Sequence, residues 1–487
     1  MTSTRSERRL AVPVCCALGL AAALSGCATP SPPPAAFEPA APPAAWSIGV
    51  SSPSAPTLLA QWWQRFNDPL LGTLVTQALQ ANTTVRSAQA ALLQARALRD
   101  ATAAGQFPTV SGAAAAQRSQ SGGKDASNAF RVGFDASWEA DVFGATRSAI
   151  RASEAEARAA EASLADVQVS IAAEVAVTYI DLRGLQSRLA IARNNLAAQT
   201  ETQQIADWRV QAGLASSLDL EQARAASAQT AAQLPTLQTA AAQARNALAV
   251  LTGQAPDALQ SVLGTPRALM QAPGDLALTI PAQTLRQRPD VRTAEHRVAA
   301  ALAQVAQADA ARYPSFRISG SLALSALTLG GLGASGSAVN SLLAAVTVPL
   351  FNGGAIAARL RAQEAALEQA RVAYQATVLV ALKDVEDSLV ALQGDRERLS
   401  WLRVAAEAAA NADLLARQRY ESGLIDFRSV LDTQRTLLAT QDGVESTRAS
   451  LNSDHVRLYK ALGGGWTAAT EIAGPSVPVP VNLRPIP

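Results

Sequence analysis

The sequence predicts a mainly α-helical, internally duplicated protein with long antiparallel coiled coils and four membrane β-strands. Short motifs return after about 210 residues, which indicates a duplicated domain because solenoid repeats are only about 20–50 residues long. Two long stretches place apolar residues at helical spacing without a proline, and two pairs of shorter segments alternate apolar with polar residues. Together these patterns predict the fold class and the order of its elements.

The N-terminus predicts a signal and a lipid anchor. In residues 1–26 three arginines precede an apolar run that is too short to span a membrane, so this segment predicts a cleaved secretory signal. Leu24-Ser25-Gly26-Cys27 resembles a lipobox, and we expect N-palmitoyl and S-diacylglycerol groups on Cys27, which would hold the chain to a membrane. The alternative is an ordinary signal peptide with an incidental cysteine. Residues 27–56, rich in Pro, Ala and Ser, predict a flexible tether.

The rest of the chain divides into two repeats and a tail. We expect the first repeat at 57–281, the second at 282–464 and a C-terminal tail at 465–487. Phe107-Pro108 corresponds to Tyr313-Pro314, and Gln211-Ala212-Gly213-Leu214 corresponds to Glu421-Ser422-Gly423-Leu424. Each repeat is predicted to contain a helix, two strands, a very long helix, a tight turn and a returning helix.

The long helices are predicted at 147–212 and 355–422, and the returning helices at 218–252 and 427–462. Apolar residues recur at spacings of three, four and seven, as in helices that pack side by side. At 1.5 Å per residue each long stretch would reach about 100 Å. An ordinary globular domain rarely holds such a rod.

Strands are predicted at 107–118, 128–139, 313–325 and 341–351. One apolar and one polar face would suit either a membrane barrel or a soluble sandwich. The chain has no further run that approaches 18 apolar residues, so a membrane crossing would have to use strands. Four strands cannot close a barrel, and an open edge in lipid leaves backbone groups unpaired. Several protomers should therefore each donate four strands to one barrel.

The composition argues against several classes of protein. Cys15 and Cys16 lie in the predicted signal and Cys27 would be acylated, so no disulfide or free thiol is expected. With 41 basic and 39 acidic residues, the chain offers no net attraction to nucleic acid. His296 and His455 are the only histidines, which leaves little for a metal site or a His-based triad. We therefore expect no enzyme and no cofactor beyond the covalent lipid.

Three motifs carry a resemblance to a known family. They are the segments WWQRFNDPL at 62–70, RPDVR at 288–292 and PLFNGG at 349–354. With the lipobox and the duplication, they resemble the outer-membrane factor (TolC-like) family, and specifically its lipoprotein drug-efflux branch, the NodT type. The resemblance implies a homotrimer with a twelve-stranded outer-membrane β-barrel and a periplasmic α-barrel. It also implies an equatorial collar from residues near 46–80, 254–281 and the tail.

The function implied by this resemblance is that of an exit duct in the cell outer membrane. Drugs and other small molecules would reach it from an inner-membrane RND-type pump through a periplasmic membrane-fusion adaptor. Two alternatives are a type I protein-secretion duct on the same fold and a structural envelope lipoprotein without a pore.

The resemblance also assigns roles at the two glycine turns. Gly213, Leu214, Gly423 and Leu424 match the tip grooves that dock the adaptor. These turns would form the periplasmic end of the helical barrel, where the tunnel closes.

Three further residues match the family's gate. Asp432 matches an aspartate that forms an acidic ring at the constriction, and Asp219 and Tyr420 match a pair whose hydrogen bond links neighbouring coiled coils. The alternative is that both aspartates only cap the returning helices. Ile425 and Ser429 stand where the family's most studied member has an arginine and a second acidic residue, so fewer polar links are expected here.

Overall fold

The computed structural model describes residues 60–120, 122, 125–271 and 282–466. The predicted signal peptide, the tether, Cys27 and the tail from residue 467 onward lie outside these described residues, as do parts of the predicted collar. The described chain is mostly helical and contains one sheet of four strands.

The helices repeat in the two halves of the chain. The first half contains α1 (Pro69–Ala81), α2 (Thr83–Ala104), α3 (Ala145–Gln211), α4 (Ser217–Leu251) and α5 (Gln260–Leu263). The second half contains α6 (Pro289–Ala310), α7 (Ala355–Glu421) and α8 (Phe427–Ala461). Helices α2 and α6 have 22 residues each, α3 and α7 have 67, and α4 and α8 have 35. The duplication of motifs is therefore a duplication of structure.

The long helices pack lengthwise against their neighbours. Helix α3 packs against α4 and α7 packs against α8, and these are the two antiparallel hairpins that the apolar spacing predicts. Helix α3 also contacts α8, α2 and α6, so it lies at the centre of the helical part. At 1.5 Å per residue, each 67-residue helix is about 100 Å long.

The sheet joins the two halves. Its strands are β1 (Thr109–Ser119), β2 (Ser127–Ala140), β3 (Ser315–Ala326) and β4 (Ala338–Thr347). They are antiparallel in the order β1-β2-β3-β4, so the β2–β3 pairing connects the repeats. The predicted bounds 341–351 for the last strand are wrong, because Pro349 has no N–H to donate and the ladder ends where Thr347 pairs with Ser315. The alternation of apolar residues simply continues past the last paired residue.

The tryptophan-rich segment before α1 fastens the chain to the long helices. Trp62 is fully buried, and its ring stacks on Tyr459 of α8 with 5.6 Å between ring centroids. Asp68 caps α1, and its other carboxylate oxygen accepts a hydrogen bond of 2.7 Å from the Tyr179 hydroxyl of α3. Burial raises the pKa of Tyr179 to about 12. This part of the family motif therefore has a packing role.

Helix α3 is long and apolar enough to cross a membrane, judged by length and composition alone. Half of its most apolar window is buried inside the protein, where α1, α2, α6 and α8 cover it. Many apolar residues of α3 thus belong to the core of the helical part. In the described chain, the candidates for a membrane crossing by strands are β1 to β4.

Candidate functional site at the two helical turns

The two long helices end in the same turn. Gly213 and Gly423 both have a φ of 73°, a left-handed conformation that glycine adopts without strain. In each turn the glycine amide and the next amide donate back to the helix, which is the Schellman arrangement. The bonds are Gly213 to Val210 at 3.0 Å, Leu214 to Arg209 at 2.8 Å, Gly423 to Tyr420 at 3.0 Å and Leu424 to Arg419 at 2.8 Å. The predicted sharp reversals are therefore present at both predicted glycines.

The leucine after each glycine is exposed. In a Schellman turn this position usually packs an apolar side chain against the last helical turn. Here Leu214 is 78% exposed and Leu424 is 74% exposed. The turns thus present two large apolar side chains at the end of the hairpins, where a partner can cover them.

Asp219 caps the first returning helix. Its amide donates to the Ser216 hydroxyl at 3.3 Å, and its Oδ2 accepts from the Ser216 amide at 3.2 Å. This reciprocal pair is a capping box at the start of α4. The other oxygen, Oδ1, accepts no hydrogen bond from any residue that the structure describes. The capping alternative therefore describes Asp219, and one carboxylate oxygen is left for a partner.

Asp432 does not cap a helix, so the capping alternative is wrong for this residue. The cap of α8 is Asp426, whose side chain accepts from the Ser429 amide at 3.0 Å and from the Ser429 hydroxyl. The hydrogen bond from the Ser429 side chain is the main cause that lowers the pKa of Asp426. Asp432 lies inside α8, is 61% exposed, and has Arg435 as its ion-pair neighbour at 3.8 Å. Its carboxylate is therefore exposed to solvent and takes no part in capping α8.

Tyr420 is held by residues of both hairpins. Its buried ring lies 5.2 Å from the Phe427 ring, and the Arg209 guanidinium lies 4.2 Å from the Tyr420 ring centroid. Within one chain, no hydrogen bond among the described residues joins Tyr420 to Asp219. The structure therefore places the two predicted gate partners at separate hairpin ends of the same protomer.

Arg209 was not among the residues predicted from the sequence. Its Nη1 donates to the Tyr420 carbonyl and its Nη2 to the Glu421 carbonyl, both at 3.0 Å. A cation at the C-terminus of a helix satisfies its last carbonyls and interacts favourably with the helix dipole. An arginine in the last turn of α3 was a visible signal for capping. The sequence could not show that this arginine caps the other long helix.

An apolar cluster supports both turns from within. It consists of alanines from α3, α4 and α7 packed against larger residues from α7 and α8. Its members are Ala206, Ala223, Ala226, Ala416, Tyr420, Phe427, Val430 and Leu431. A hydrogen bond of 2.9 Å from Gln434 to Thr202 joins α8 to α3 just above the cluster. The alanines let the two hairpins approach closely, so the ends of one chain form a single packed unit.

The described residues contain no group of His, Cys, Asp or Glu side chains that could hold a metal ion. What the two turns offer instead is apolar surface at Leu214 and Leu424, exposed carboxylates, and a guanidinium shared between two helix ends. These groups suit protein contacts and the passage of solutes.

Comparisons with known proteins agree with this geometry. The sequence pattern of the family described as "Outer membrane efflux protein" matches residues 74–254 and 280–464. The chain is 33% identical to the pyoverdine export outer membrane protein OpmQ of Pseudomonas putida, over 93% of this chain and 97% of the relative. It is 31% identical to the outer membrane protein OprJ of Pseudomonas aeruginosa, over 92% of this chain and 95% of the relative.

Solved structures are similar over nearly the same length. The outer-membrane channel OprN superposes with a TM-score of 0.83 at 36% identity, covering 90% of this chain and 98% of OprN. The open state of the MtrE outer membrane channel of Neisseria gonorrhoeae superposes with a TM-score of 0.77 at 26% identity, covering 88% and 97%. The likeness therefore includes the sheet, the long helices and both turns.

Proposed function

Because the chain belongs to the outer membrane efflux protein family, we propose that three copies form one exit duct through the outer membrane and the periplasm. Membership of this family means that each copy is an outer-membrane efflux channel subunit, and its fold class is the one that the sequence predicts. We further propose that the duct binds partner proteins and has a gate at the two helical turns.

The observation that carries the proposal is the open sheet. Strands β1 and β4 each have a neighbour on one side only within the described chain. In hydrocarbon an unpaired backbone group costs several kcal/mol, so an open edge cannot stay exposed to lipid. Pairing of β4 of one copy with β1 of the next removes both edges, and three four-stranded sheets give a closed barrel of twelve strands.

Exposed apolar residues on the helices support the same assembly. Helix α7 carries a series of large apolar side chains that are each more than half exposed in the described chain: Val372, Leu379, Val380, Val390, Trp401, Val404, Leu414 and Leu415. Exposed apolar surface in this amount indicates a protein interface. In the proposed trimer this surface packs against the helices of the neighbouring copy.

The partners follow from the position of the duct. We expect a periplasmic membrane-fusion adaptor to dock on Leu214 and Leu424, and an RND-type inner-membrane pump to supply the energy. Related channels are named for cargoes as different as pyoverdine and toluene, which supports a passive conduit for small molecules whose selectivity lies in the pump. The duct catalyses no reaction and needs no cofactor. Acyl chains on Cys27 anchor the N-terminus in the outer membrane.

The function is tested on the purified protein. In detergent it should have the native mass of a trimer, and in planar lipid bilayers it should conduct ions. A protein that is monomeric and water-soluble without its acyl chains, and that does not conduct, would contradict the proposal. A trimer that never conducts would identify an envelope spacer instead.

The gate in this proposal is built between copies. Oδ1 of Asp219, which accepts no hydrogen bond from a described residue of its own chain, would accept one from the Tyr420 hydroxyl of the neighbouring copy. Three Asp432 carboxylates around one axis would repel one another and attract cations. Adaptor docking would separate the hairpin ends and widen the tunnel.

The double variant Asp219→Ala with Tyr420→Phe should raise single-channel conductance, because both ends of the proposed hydrogen bond are lost. Ser216→Ala is the matched control, since it removes the capping box but leaves the Asp219 carboxylate for the neighbour. The control should conduct like the parent protein in planar bilayers. Unchanged conductance in the double variant would remove both residues from the gate, and an equal rise in the control would assign the effect to helix capping.

A further inference from the structure

Arg209 and Arg419 occupy equivalent positions in the two repeats. Each lies two residues before the end of a 67-residue helix, and each helix ends in the same Schellman turn with a glycine φ of 73°. Their side chains nevertheless differ in their contacts. Arg209 donates to two carbonyls at the end of α7, whereas the exposed Arg419 side chain forms no hydrogen bond or ion pair with any part of the chain that the structure describes.

The end of α3 offers the same acceptors that Arg209 finds at the end of α7. The Tyr420 carbonyl accepts one hydrogen bond from the Gly423 amide and a second one from the Arg209 guanidinium. The equivalent Val210 carbonyl accepts from the Gly213 amide in the same way. The Gln211 carbonyl, equivalent to that of Glu421, receives no hydrogen bond from a described residue. A helix C-terminus in this state has carbonyls available for a cation.

We propose that Arg419 of one copy caps α3 of the next copy, donating to that copy's Val210 and Gln211 carbonyls. This inference rests on the proposed homotrimer. In a closed ring of three copies the α3–α4 and α7–α8 hairpins alternate. Because α3 and α7 are equally long, and α4 and α8 are equally long, the turns of all hairpins lie at the same height along the ring axis. Within a copy, Arg209 of the first hairpin contacts the end of α7 in the second hairpin. Between copies, Arg419 of the second hairpin then makes the same contact with the end of α3 in the next copy.

The charges near the two helix ends favour the contact between copies. On α7, the residue three positions before Tyr420 is Arg417, a cation that is paired with Asp413 at 2.8 Å. On α3, the equivalent residue is Asp207, whose carboxylate accepts from the Gln211 side chain at 2.8 Å. Arg419 would therefore approach a carboxylate where Arg209 approaches a cation. The opposite charges of Arg419 and Asp207 attract each other, and salt screens this attraction because the side chains are exposed to solvent.

The two contacts should differ in strength during opening. Arg209 also stacks on the Tyr420 ring, and the apolar cluster and the bond from Gln434 to Thr202 join the same two hairpins. Arg419 would meet Val210, which stands where the end of α7 has the Tyr420 ring. The hairpins of one copy thus stay together, and the Arg419 contacts between copies are the ones that break.

Cysteine cross-linking tests the inference directly. The pair Arg419→Cys with Gln211→Cys is treated with a short bifunctional thiol reagent in the assembled protein. The pair Arg209→Cys with Glu421→Cys is the matched control, because the repeat gives both pairs the same spacing. We expect covalent trimers on a denaturing gel for the first pair. For the control we expect a single-chain band that contains an internal link, identified by mass spectrometry of the digested protein.

The native mass distinguishes failure of the Arg419 contact from failure of the trimer. If the protein is a trimer and the control pair links internally, a single-chain band for the Arg419 and Gln211 pair overturns the inference and leaves the proposed function standing. An internal link for that pair also overturns it. If the native mass is that of a monomer, the proposed function fails together with the inference. The parent protein treated with the same reagent must stay a single chain.

Discussion

Replacement of Gly133 by alanine is expected to prevent most of the protein from assembling. Gly133 lies on β2 directly opposite Ala323 on β3, in the pairing that joins the two repeats. A Cβ at Gly133 would overlap the Ala323 Cβ and would lie 2.5 Å from the Leu322 carbonyl oxygen. Cross-strand Cβ atoms normally lie about 4.5–5.5 Å apart. The strands must therefore separate, and overpacking of this kind costs about 1–3 kcal/mol in each copy.

Gly320→Ala is the control for this change. Gly320 lies on β3 in the same sheet, and its nearest contact for a new Cβ is the Ser341 carbonyl oxygen at 3.6 Å, an ordinary van der Waals distance. The amount of assembled protein in outer membranes is measured on a gel that preserves native assemblies. The control should assemble like the parent protein, and Gly133→Ala should be strongly reduced. Equal assembly of the two variants would mean that the β2–β3 pairing is looser than its register indicates.

The fold could be predicted because its main features are periodic. The repeat, the helical spacing of apolar residues and, for α3 and α7, the absence of proline are patterns of the sequence itself. They place α3, α4, α7 and α8 without knowledge of any contact, although α4 contains Pro235. The bounds of β4 could not be read from the same kind of pattern. Val348 and Leu350 continue the alternation beyond Thr347, although Pro349 ends the pairing. The alternation of apolar and polar residues predicts which face of the sheet a side chain would occupy. It does not show where the strand stops pairing, because that depends on the partner strand.

At the turns, the sequence indicated the backbone better than the side chains. Gly213 and Gly423 mark the reversals because few other residues take a φ of 73°. Which aspartate caps a helix was harder to predict, since Asp219, Asp426 and Asp432 all lie near a helix start. Only the hydrogen bonds distinguish Asp219 and Asp426, which cap, from Asp432, which does not. The contact of Arg209 with α7 depends on how two hairpins pack, and no local pattern contains that information.

The arginine of the RPDVR motif has a structural role that the motif alone did not reveal. The Arg288 side chain is 9% exposed and donates to the Ala461 carbonyl at the end of α8 at 2.8 Å. It also bonds both oxygens of Asp290, at 3.0 and 2.7 Å, and reaches Asp384 of α7 at 3.3 Å. Burial alone would lower the pKa of Arg288, but Asp290 and Asp384 outweigh burial and raise it. One guanidinium thus joins the start of α6 to both helices of the second hairpin.

Carboxylates surround this guanidinium. A cavity of about 290 Å³ beside it is lined by four of them, Asp166, Asp290, Asp384 and Asp387, and by the cations Arg457 and Lys460. Burial, with a further contribution from Asp290, raises the pKa of Asp166, while Lys460 and Arg288 oppose that rise. Removal of Arg288 therefore leaves negative charge in a poorly hydrated place without its nearest compensating cation.

Arg288→Met should accordingly destabilise the protein by about 3–5 kcal/mol, the cost of removing one partner from a buried ion pair. Arg286→Met is the control, because Arg286 is exposed two residues earlier and a surface change of this kind alters stability by about 0.5 kcal/mol or less. The midpoint of thermal unfolding in detergent, followed by circular dichroism, measures both. Equal midpoints for the two variants would show that the carboxylates are hydrated well enough to do without Arg288.

The pH dependence of Arg288→Met distinguishes lost charge from lost packing. The Arg288 guanidinium lowers the pKa of the Asp166 carboxyl, which burial raises, so without it the folded-state pKa of Asp166 should rise further above that of the unfolded chain. Groups with raised carboxyl pKa values bind more protons in the folded state, so stability increases as pH falls toward the unfolded-state values. The deficit of the variant should therefore be largest near neutral pH and shrink in acid. A deficit that does not change with pH would assign the effect to packing around the Arg288 side chain.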